Sequence, residues 1–362
     1  MTSISGKRIL LVVPKFAPLD SQIMNELEIQ GAYVEIIYDQ CQKFNPNFIK
    51  SSFRIIRKCY YKLNNLNIKY HSQFDQWDKE WDYLLCINGW SIDPILLKKI
   101  KTLNPNIKCI LYLWDSLKTF RFNCLFPFFD KVYTFDYQDS IKYNIDYLPL
   151  FWVENKNGNH SEIKYDLSFI GKLHSDRYEV IKKIEKYCRN NGINYYFKII
   201  ITNRGSNIIE YIKHLLFKLK NRGQIDYRYD LLYGKIIDPI ISFNYVDPIV
   251  AQNIINASRC IIDIEIPEQS GLTNRTIQGL GYQKKIITTN FKIKNDVLFQ
   301  NNPNIIVIDR YNPIINTEAI SQNYSSDKPN NTILEKLRID NWIKIILNMK
   351  KINDMIVFTM IR

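Results

Sequence analysis

Between Ile266 and Asn290 the sequence reads IPEQSGLTNRTIQGLGYQKKIITTN, a polar loop and a helix-like segment that follow the apolar run CIIDIEI and end in KKIITTN. The loop runs through Glu268, Ser270, Gly271, Leu272 and Thr273. A helix starting near Asn274 turns unpaired N–H groups and the positive end of its dipole toward that loop. Gly271 lets the backbone come close to a ligand. Ser270, Thr273 and Asn274 supply neutral hydrogen bonds, and Arg275 supplies a planar cation that matches phosphate oxygens. Gln278 lies one turn further along and can meet a sugar or ribose hydroxyl with either end of its amide. The chemistry these residues suit is the holding of a phosphorylated, sugar-bearing ligand. The competing reading is an ordinary helix start, with Thr273 as N-cap and Arg275 in water.

A second cluster lies in GKLHSDRY, Gly171 to Tyr178. Lys172 and Arg177 bracket His174 just past an expected strand end, so two cations can meet a pyrophosphate without a metal; the alternative is a solvated turn. Three further loops follow strands of the first half. They carry Asp20, then Asn88, Gly89 and Trp90, then Asp115. A second reactant that gives up a hydroxyl proton needs a base within hydrogen-bond reach. Asp115 and Asp20 are the candidates by placement, and a helix N-cap is the competing role for Asp115.

These loops need elements to hold them. The apolar runs predict strands at Lys7–Val13, Tyr33–Tyr38, Tyr83–Ile87, Cys109–Leu113, Val132–Phe135 and Tyr147–Leu150. Helical stretches at Ser21–Gln30 and Pro94–Thr102 alternate with them. After the polar, non-periodic stretch Trp152–Glu162 a second series begins. Its strands are Asp166–Gly171, Tyr195–Ile201, Cys260–Ile264, Lys285–Thr289 and Ile305–Ile308, and its helices are Tyr178–Asn190, Ile209–Lys220, Val250–Ala257 and Asn274–Gly281. A last helix is expected over Thr332–Met349. Strand–helix alternation of this kind predicts parallel sheets covered by helices. The expected architecture is α/β, two Rossmann-like domains facing each other across a cleft, with a C-terminal helix. The expected divisions are 1–155, 156–330 and a tail, 331–362. Ligands of such sheets bind beyond the carboxyl ends of the strands.

Composition narrows the class. Of 362 residues, 46% are hydrophobic and 23% charged, the balance of a chain that folds around cores. The seven Cys are scattered without a CxxC pair and the four His lie far apart, which predicts a reduced compartment and no metal site. No apolar run is long enough to span a bilayer. The opening MTSISGKRILLVVPKF reads as a strand and not as a leader, so a cytoplasmic protein is expected. The net charge of +13 admits nucleic acid, an anionic membrane or a phosphorylated substrate. The basic residues are spread along the chain without a nucleic-acid module, which speaks against a nucleic-acid binder. One basic amphipathic stretch, Ile49–Leu66, has the pattern of a helix that lies on the inner face of a membrane, or equally of one packed on the first sheet.

SGLTNRTIQGLGYQKKIITTN resembles the donor-binding segment of GT-B-fold glycosyltransferases, and DLSFIGKLHSDRY resembles the first strand and loop of their second domain. LYLWDSL and DYLPLFW fit the same group. The similarity is greatest to bacterial enzymes of capsule, lipopolysaccharide or exopolysaccharide assembly, in the loose group that includes CgeB-like proteins. The resemblance implies transfer of a sugar from a nucleotide-sugar donor to a glycan or lipid-linked glycan, with no cofactor and no metal. It places the donor diphosphate near Lys172 and the donor on the 270–275 loop with Gln278; Gly171, His174, Arg177 and Glu268 are expected beside them, and if the first sheet is parallel the acceptor lies near Asn88, Gly89 and Trp90. The absence of a DxD motif, which GT-A enzymes use to hold a cation, agrees with it. One departure stands out: the paired Glu of many retaining members fall on Ser270 and Gln278, so the retaining class does not carry over. A nucleotide-sugar 2-epimerase of the same architecture is the alternative, and it would need acidic and His groups converging on the sugar.

Overall fold

The computed structural model describes residues 4–16, 18–39, 80–90, 92, 94–119, 122–154, 162–201, 207–221, 224–326 and 328–347. The expected membrane-lying stretch 49–66 falls outside these residues, as does most of the polar stretch after Trp152.

The first half builds a six-stranded sheet from β1 (Arg8–Val13), β2 (Tyr33–Tyr38), β3 (Tyr83–Ile87), β4 (Lys108–Leu113), β5 (Lys131–Thr134) and β6 (Asp146–Tyr147), ordered β2-β1-β3-β4-β5-β6. Every pairing is parallel. The apolar runs are unbroken because both faces are covered. Ile9, Leu11 and Val13 of β1 enter one core cluster, while Leu10 and Val12 enter another on the opposite face. Helices α1 (Leu19–Ile29), α2 (Pro94–Leu103) and α3 (Tyr137–Tyr143) follow β1, β3 and β5. The strand expected over Tyr147–Leu150 is only two residues long, since the chain leaves the sheet at Leu148 toward Pro149.

The second sheet has the same logic. Strands β7 (Tyr165–Lys172), β8 (Tyr195–Ile200), β9 (Ile241–Ser242), β10 (Ser258–Asp263), β11 (Lys285–Thr288) and β12 (Ile305–Val307) lie in the order β12-β11-β10-β7-β8-β9, again all parallel. Its helices are α4 (Arg177–Asn190), α5 (Asn207–Lys220), α6 (Tyr227–Leu232), α7 (Pro248–Asn256) and α8 (Asn274–Gly281), then α9 (Thr317–Ser321). The short β9 and α6 escaped the sequence, being too brief to show a period.

The tail forms two helices, α10 (Lys328–Leu337) and α11 (Ile339–Ile346), where one was expected. The break at Arg338 has extended backbone. It sends α11 back onto the first sheet, where Trp342 is fully buried with its ring edge-on to Tyr112 at 4.9 Å. The Trp342 indole N–H donates to the Pro149 carbonyl at 3.0 Å. Trp152, expected to start a loose linker, is instead pinned, donating its indole N–H to Leu334 at 2.7 Å. No helix of the described residues is long and apolar enough to cross a membrane.

Candidate functional site

In each sheet all strands run the same way, so all their carboxyl ends lie along one edge. The two edges face each other. Ser270, past the end of β10, bonds to Asp136, past the end of β5. Lys172, the last residue of β7, holds its ammonium 5.0 Å from the ring of Phe16, which follows β1. The groove between the sheets is therefore lined by the loops that the sequence singles out.

On the second-domain side three arginines, Arg177, Arg275 and Arg310, are set among three carboxylates, Asp176, Asp263 and Glu265. Arg275 donates to Asp263 at 2.7 Å and to the Ile170 carbonyl at 2.9 Å. Its guanidinium stacks on Phe169, with the carbon 4.8 Å from the ring centre, and Arg177 approaches the same ring at 5.4 Å. Gly171 is required here. A Cβ on it would lie 2.5 Å from the Arg275 guanidinium and 2.9 Å from the Phe169 ring. Arg310 completes the group, gripping both oxygens of Asp176 at 2.8 and 2.7 Å and Glu265 at 2.7 Å. His174 sits among these arginines, donor or acceptor to Ser175 at 3.0 Å. Burial first, then Arg177, Arg275 and Arg310, hold its pKa down to about 3, so the ring is neutral at any ordinary pH. Arg310, Asp263 and Glu265 were not singled out in the sequence. Arg310 follows an ordinary strand run, IIVID, and nothing local marks it.

Lys172 stands apart from this network. It is exposed, and its ammonium lies over Phe16 and, at 5.3 Å, over Tyr245, with no ion pair among the described residues. Phe16 in turn meets Trp114 with ring centres 6.1 Å apart. One cation thus projects from the second domain into an aromatic collar contributed largely by the first.

The 270–278 corner is organised differently from the expectation of ligand contacts throughout. Asp136 is buried and N-caps α3, accepting from the N–H groups of Gln138 and Asp139 at 3.0 and 3.3 Å. The same carboxylate takes the N–H of Ser270 at 3.1 Å, its hydroxyl at 2.5 Å and the N–H of Gly271 at 3.0 Å. Gly271 approaches so closely that a Cβ would meet the Phe135 ring at 2.6 Å and its carbonyl oxygen at 2.9 Å. Gln278 is likewise turned to the chain, accepting from the Val153 N–H at 3.1 Å and donating to its carbonyl at 2.8 Å. Asn274 donates to the Phe151 carbonyl at 3.2 Å, and Leu272 is buried in the core that joins the two sheets. Arg177 is buried, its guanidinium spent on the carbonyls of Ile264 and Lys172. Ser270, Gly271, Leu272, Asn274 and Gln278 therefore join the two halves, a role local sequence cannot show because their hydrogen-bond partners across the joint, Asp136, Phe151 and Val153, lie more than a hundred residues away. Thr273 is the N-cap of α8, accepting from Thr276 at 3.4 Å. The N–H groups of Asn274 and Arg275 precede the first intrahelical bond, which runs from Ile277 to Thr273. Glu268 is exposed at the loop tip.

Across the groove, Asn88 is fully buried with φ 63°, followed by Gly89 at φ 77°. Two successive left-handed residues turn the chain sharply at the end of β3. Asn88 uses both ends of its amide, donating to Asp115 at 2.7 Å and accepting from the Trp114 N–H at 3.1 Å. Asp115 is no helix cap; it is half-buried at the end of β4, and burial lifts its pKa to about 6 against the lowering effect of the Asn88 bond. Trp90 packs its ring on the edge of Phe122 at 5.1 Å. Asp20 is buried in the first turn of α1. One of its oxygens finds no hydrogen-bond partner among the described residues. Among the described residues no three His, Cys, Asp or Glu converge as a metal site would require.

No family profile and no curated protein matches the chain in sequence. Solved structures do match in fold. An α,α-trehalose-phosphate synthase (UDP-forming) from Burkholderia vietnamiensis superposes with a TM-score of 0.57 at 7% identity, covering 95% of this chain and 99% of its own. A trehalose-6-phosphate structure from E. coli bound with UDP-2-fluoro glucose gives 0.55 at 10% identity, over 95% and 98% of the two chains. AviGT4, a glycosyltransferase of avilamycin A biosynthesis, gives 0.51 at 9% identity, over 94% and 98%. The chain has the GT-B fold: two Rossmann-like α/β halves that oppose their ligand-binding edges.

Proposed function

We propose that this chain is a glycosyltransferase that moves a sugar from a nucleoside-diphosphate donor to an acceptor hydroxyl in the groove between its sheets. The observation that carries the reading is Lys172. It extends from an arginine-lined strand end onto Phe16 of the first half, with no ion pair among the described residues. The donor diphosphate docks there, against Lys172 and the first N–H groups of α8, with Arg275 behind them on Asp263 and the Ile170 carbonyl. The neighbours of this fold include proteins named for UDP-sugar chemistry, which supports the same donor class. In this reading residues 1–155 carry the acceptor and 156–330 the donor, and charge on the leaving group is met by side chains and helix end without a metal.

Asp115 is the base. It accepts the acceptor's hydroxyl proton as the acceptor oxygen bonds to the anomeric carbon, and the bond from that carbon to the diphosphate breaks. The electron pair leaves with the nucleoside diphosphate. Asn88 orients the carboxylate, and the strained turn at Asn88 and Gly89 holds both in place. Closure of the groove excludes water so that transfer outruns hydrolysis. The acceptor we assign is a growing bacterial surface glycan, of capsule, lipopolysaccharide or exopolysaccharide type, met on the cytoplasmic face of the membrane.

A thermal-shift series against UDP-, GDP-, CMP- and dTDP-sugars tests the donor. A ligand at one hundred times its Kd adds about 2.7 kcal/mol to stability and raises Tm accordingly. One nucleotide class is expected to do so, and Lys172→Ala to remove most of the shift while leaving the unliganded Tm unchanged. No shift with any nucleotide at millimolar concentration would overturn the reading.

A further inference from the structure

The crossover between β8 and β9 carries a feature the groove does not use. Helix α5 presents Tyr211, Ile212, Leu215, Leu216 and Leu219 outward, each between 44% and 73% exposed. Their spacing is that of one helical face, so five large apolar side chains form a single stripe on water. The opposite face is where the helix is held. His214 stacks on Tyr229 of α6 with ring centres 3.9 Å apart and meets Asp226 at 3.0 Å. Phe217, on the same side, is half-buried. The helix is thus amphipathic with its apolar stripe turned away from the protein, the reverse of a core-facing helix.

The charges beside the stripe indicate what covers it. Lys218 is exposed at its edge, and the sequence of the helix carries Lys213, Lys218 and Lys220 against one acid, Glu210. A second copy of the chain laid on the same stripe would bring lysines against lysines, since an isologous contact pairs a surface with itself. An anionic lipid surface meets both features together: acyl chains receive the leucines, and headgroups meet the lysines. We infer that α5 is an interfacial helix that docks the second domain on an anionic membrane. It lies in the plane of the headgroups for about 20 Å, the length of its fourteen residues.

The test uses the full chain and co-sedimentation with vesicles of phosphatidylcholine, with and without about one third phosphatidylglycerol. The expected result is at least about tenfold tighter partition onto the anionic vesicles, and a loss of at least about tenfold in the double variant Leu216→Asp, Leu219→Asp. Both side chains are exposed, so the variant keeps its Tm and its nucleotide-induced shift; membrane docking and donor binding are thereby read separately. Unchanged binding of the double variant would place the lipid contact elsewhere and overturn the inference. So would failure of the wild-type chain to bind either vesicle, or a dimer in sedimentation velocity that the same double variant dissociates.

Discussion

At the scale of single residues the groove sorts its charged groups into those already satisfied and those poised to act. Arg177 and Arg310 are tied to carbonyls and carboxylates, and they shape the strand ends. Lys172, with no ion pair among the described residues, and Asp115, which accepts from the Asn88 amide, are the two groups proposed to act, one from each half. For Asp115 the sign of the pH effect is fixed by burial. Its folded pKa, about 6, is above the ordinary carboxyl value, so its contribution to stability is complete below about pH 4 and is lost as pH rises through about 6. Replacing it with the neutral isostere Asn keeps the Asn88 bond and removes the cost of ionisation. Asp115→Asn is therefore expected to match the wild-type Tm at about pH 4 and to exceed it above about pH 6, while transfer activity falls at least about a hundredfold. Wild-type activity is expected to decline on acidification through about pH 6, as the base becomes protonated. A variant that stays active, or an activity flat across that range, assigns the base elsewhere.

Among the elements, the loop before α8 is the joint of the molecule. A single carboxylate, Asp136, starts α3 in the first half and receives two backbone N–H groups and a hydroxyl from the second. Removing it leaves several buried donors without partners, at about 1 to 3 kcal/mol for each. Asp136→Ala is expected to lower stability by about 3 kcal/mol or more in urea denaturation, with an early, separate loss of contact between the halves. Gly271→Ala probes the same joint by volume. The added methyl meets the Phe135 ring and carbonyl, so the halves must part slightly, and donor affinity is expected to fall with little change in far-ultraviolet circular dichroism. Unchanged affinity and stability in both variants would show that the joint bears no strain or load.

The whole chain is threaded so that α11 completes its first domain. Trp342 of α11 is enclosed by Tyr112 and Phe151, and α11 shares the core that runs from the first sheet through Leu272 and Ile277 into the second. Large aromatic truncations in such sites cost about 3 to 5 kcal/mol. Trp342→Ala is expected to lower the Tm of the first half most, and a chain ending at residue 330 to expose apolar surface that binds a hydrophobic dye. Independent folding of residues 1–155 without α11 would contradict this. The same threading explains why the halves are coupled: the chain crosses the joint at Trp152–Val153 and again at Leu337–Arg338, and these crossings bond to each other through the Trp152 N–H to Leu337 carbonyl and Ile339 N–H to Trp152 carbonyl.

The strands and their parallel, two-sided burial were legible in the sequence because unbroken runs such as RILLVV and KCILYL need cover on both faces. The start of α8 was legible too, since Thr273 caps it through a bond to a residue three places on. Phosphate-suited residue types likewise marked Lys172 after β7 and Arg275 at the helix start, and placement after β4 marked Asp115 as a candidate base. Only tertiary structure decided which of the marked residues face the groove. Ser270, Gln278 and Arg177 carry the same chemical groups as a ligand site would, and the fold turns those groups onto Asp136, Val153 and Ile264. A side chain's chemistry is local, but what consumes its hydrogen bonds is set by segments that only folding brings within 3 Å.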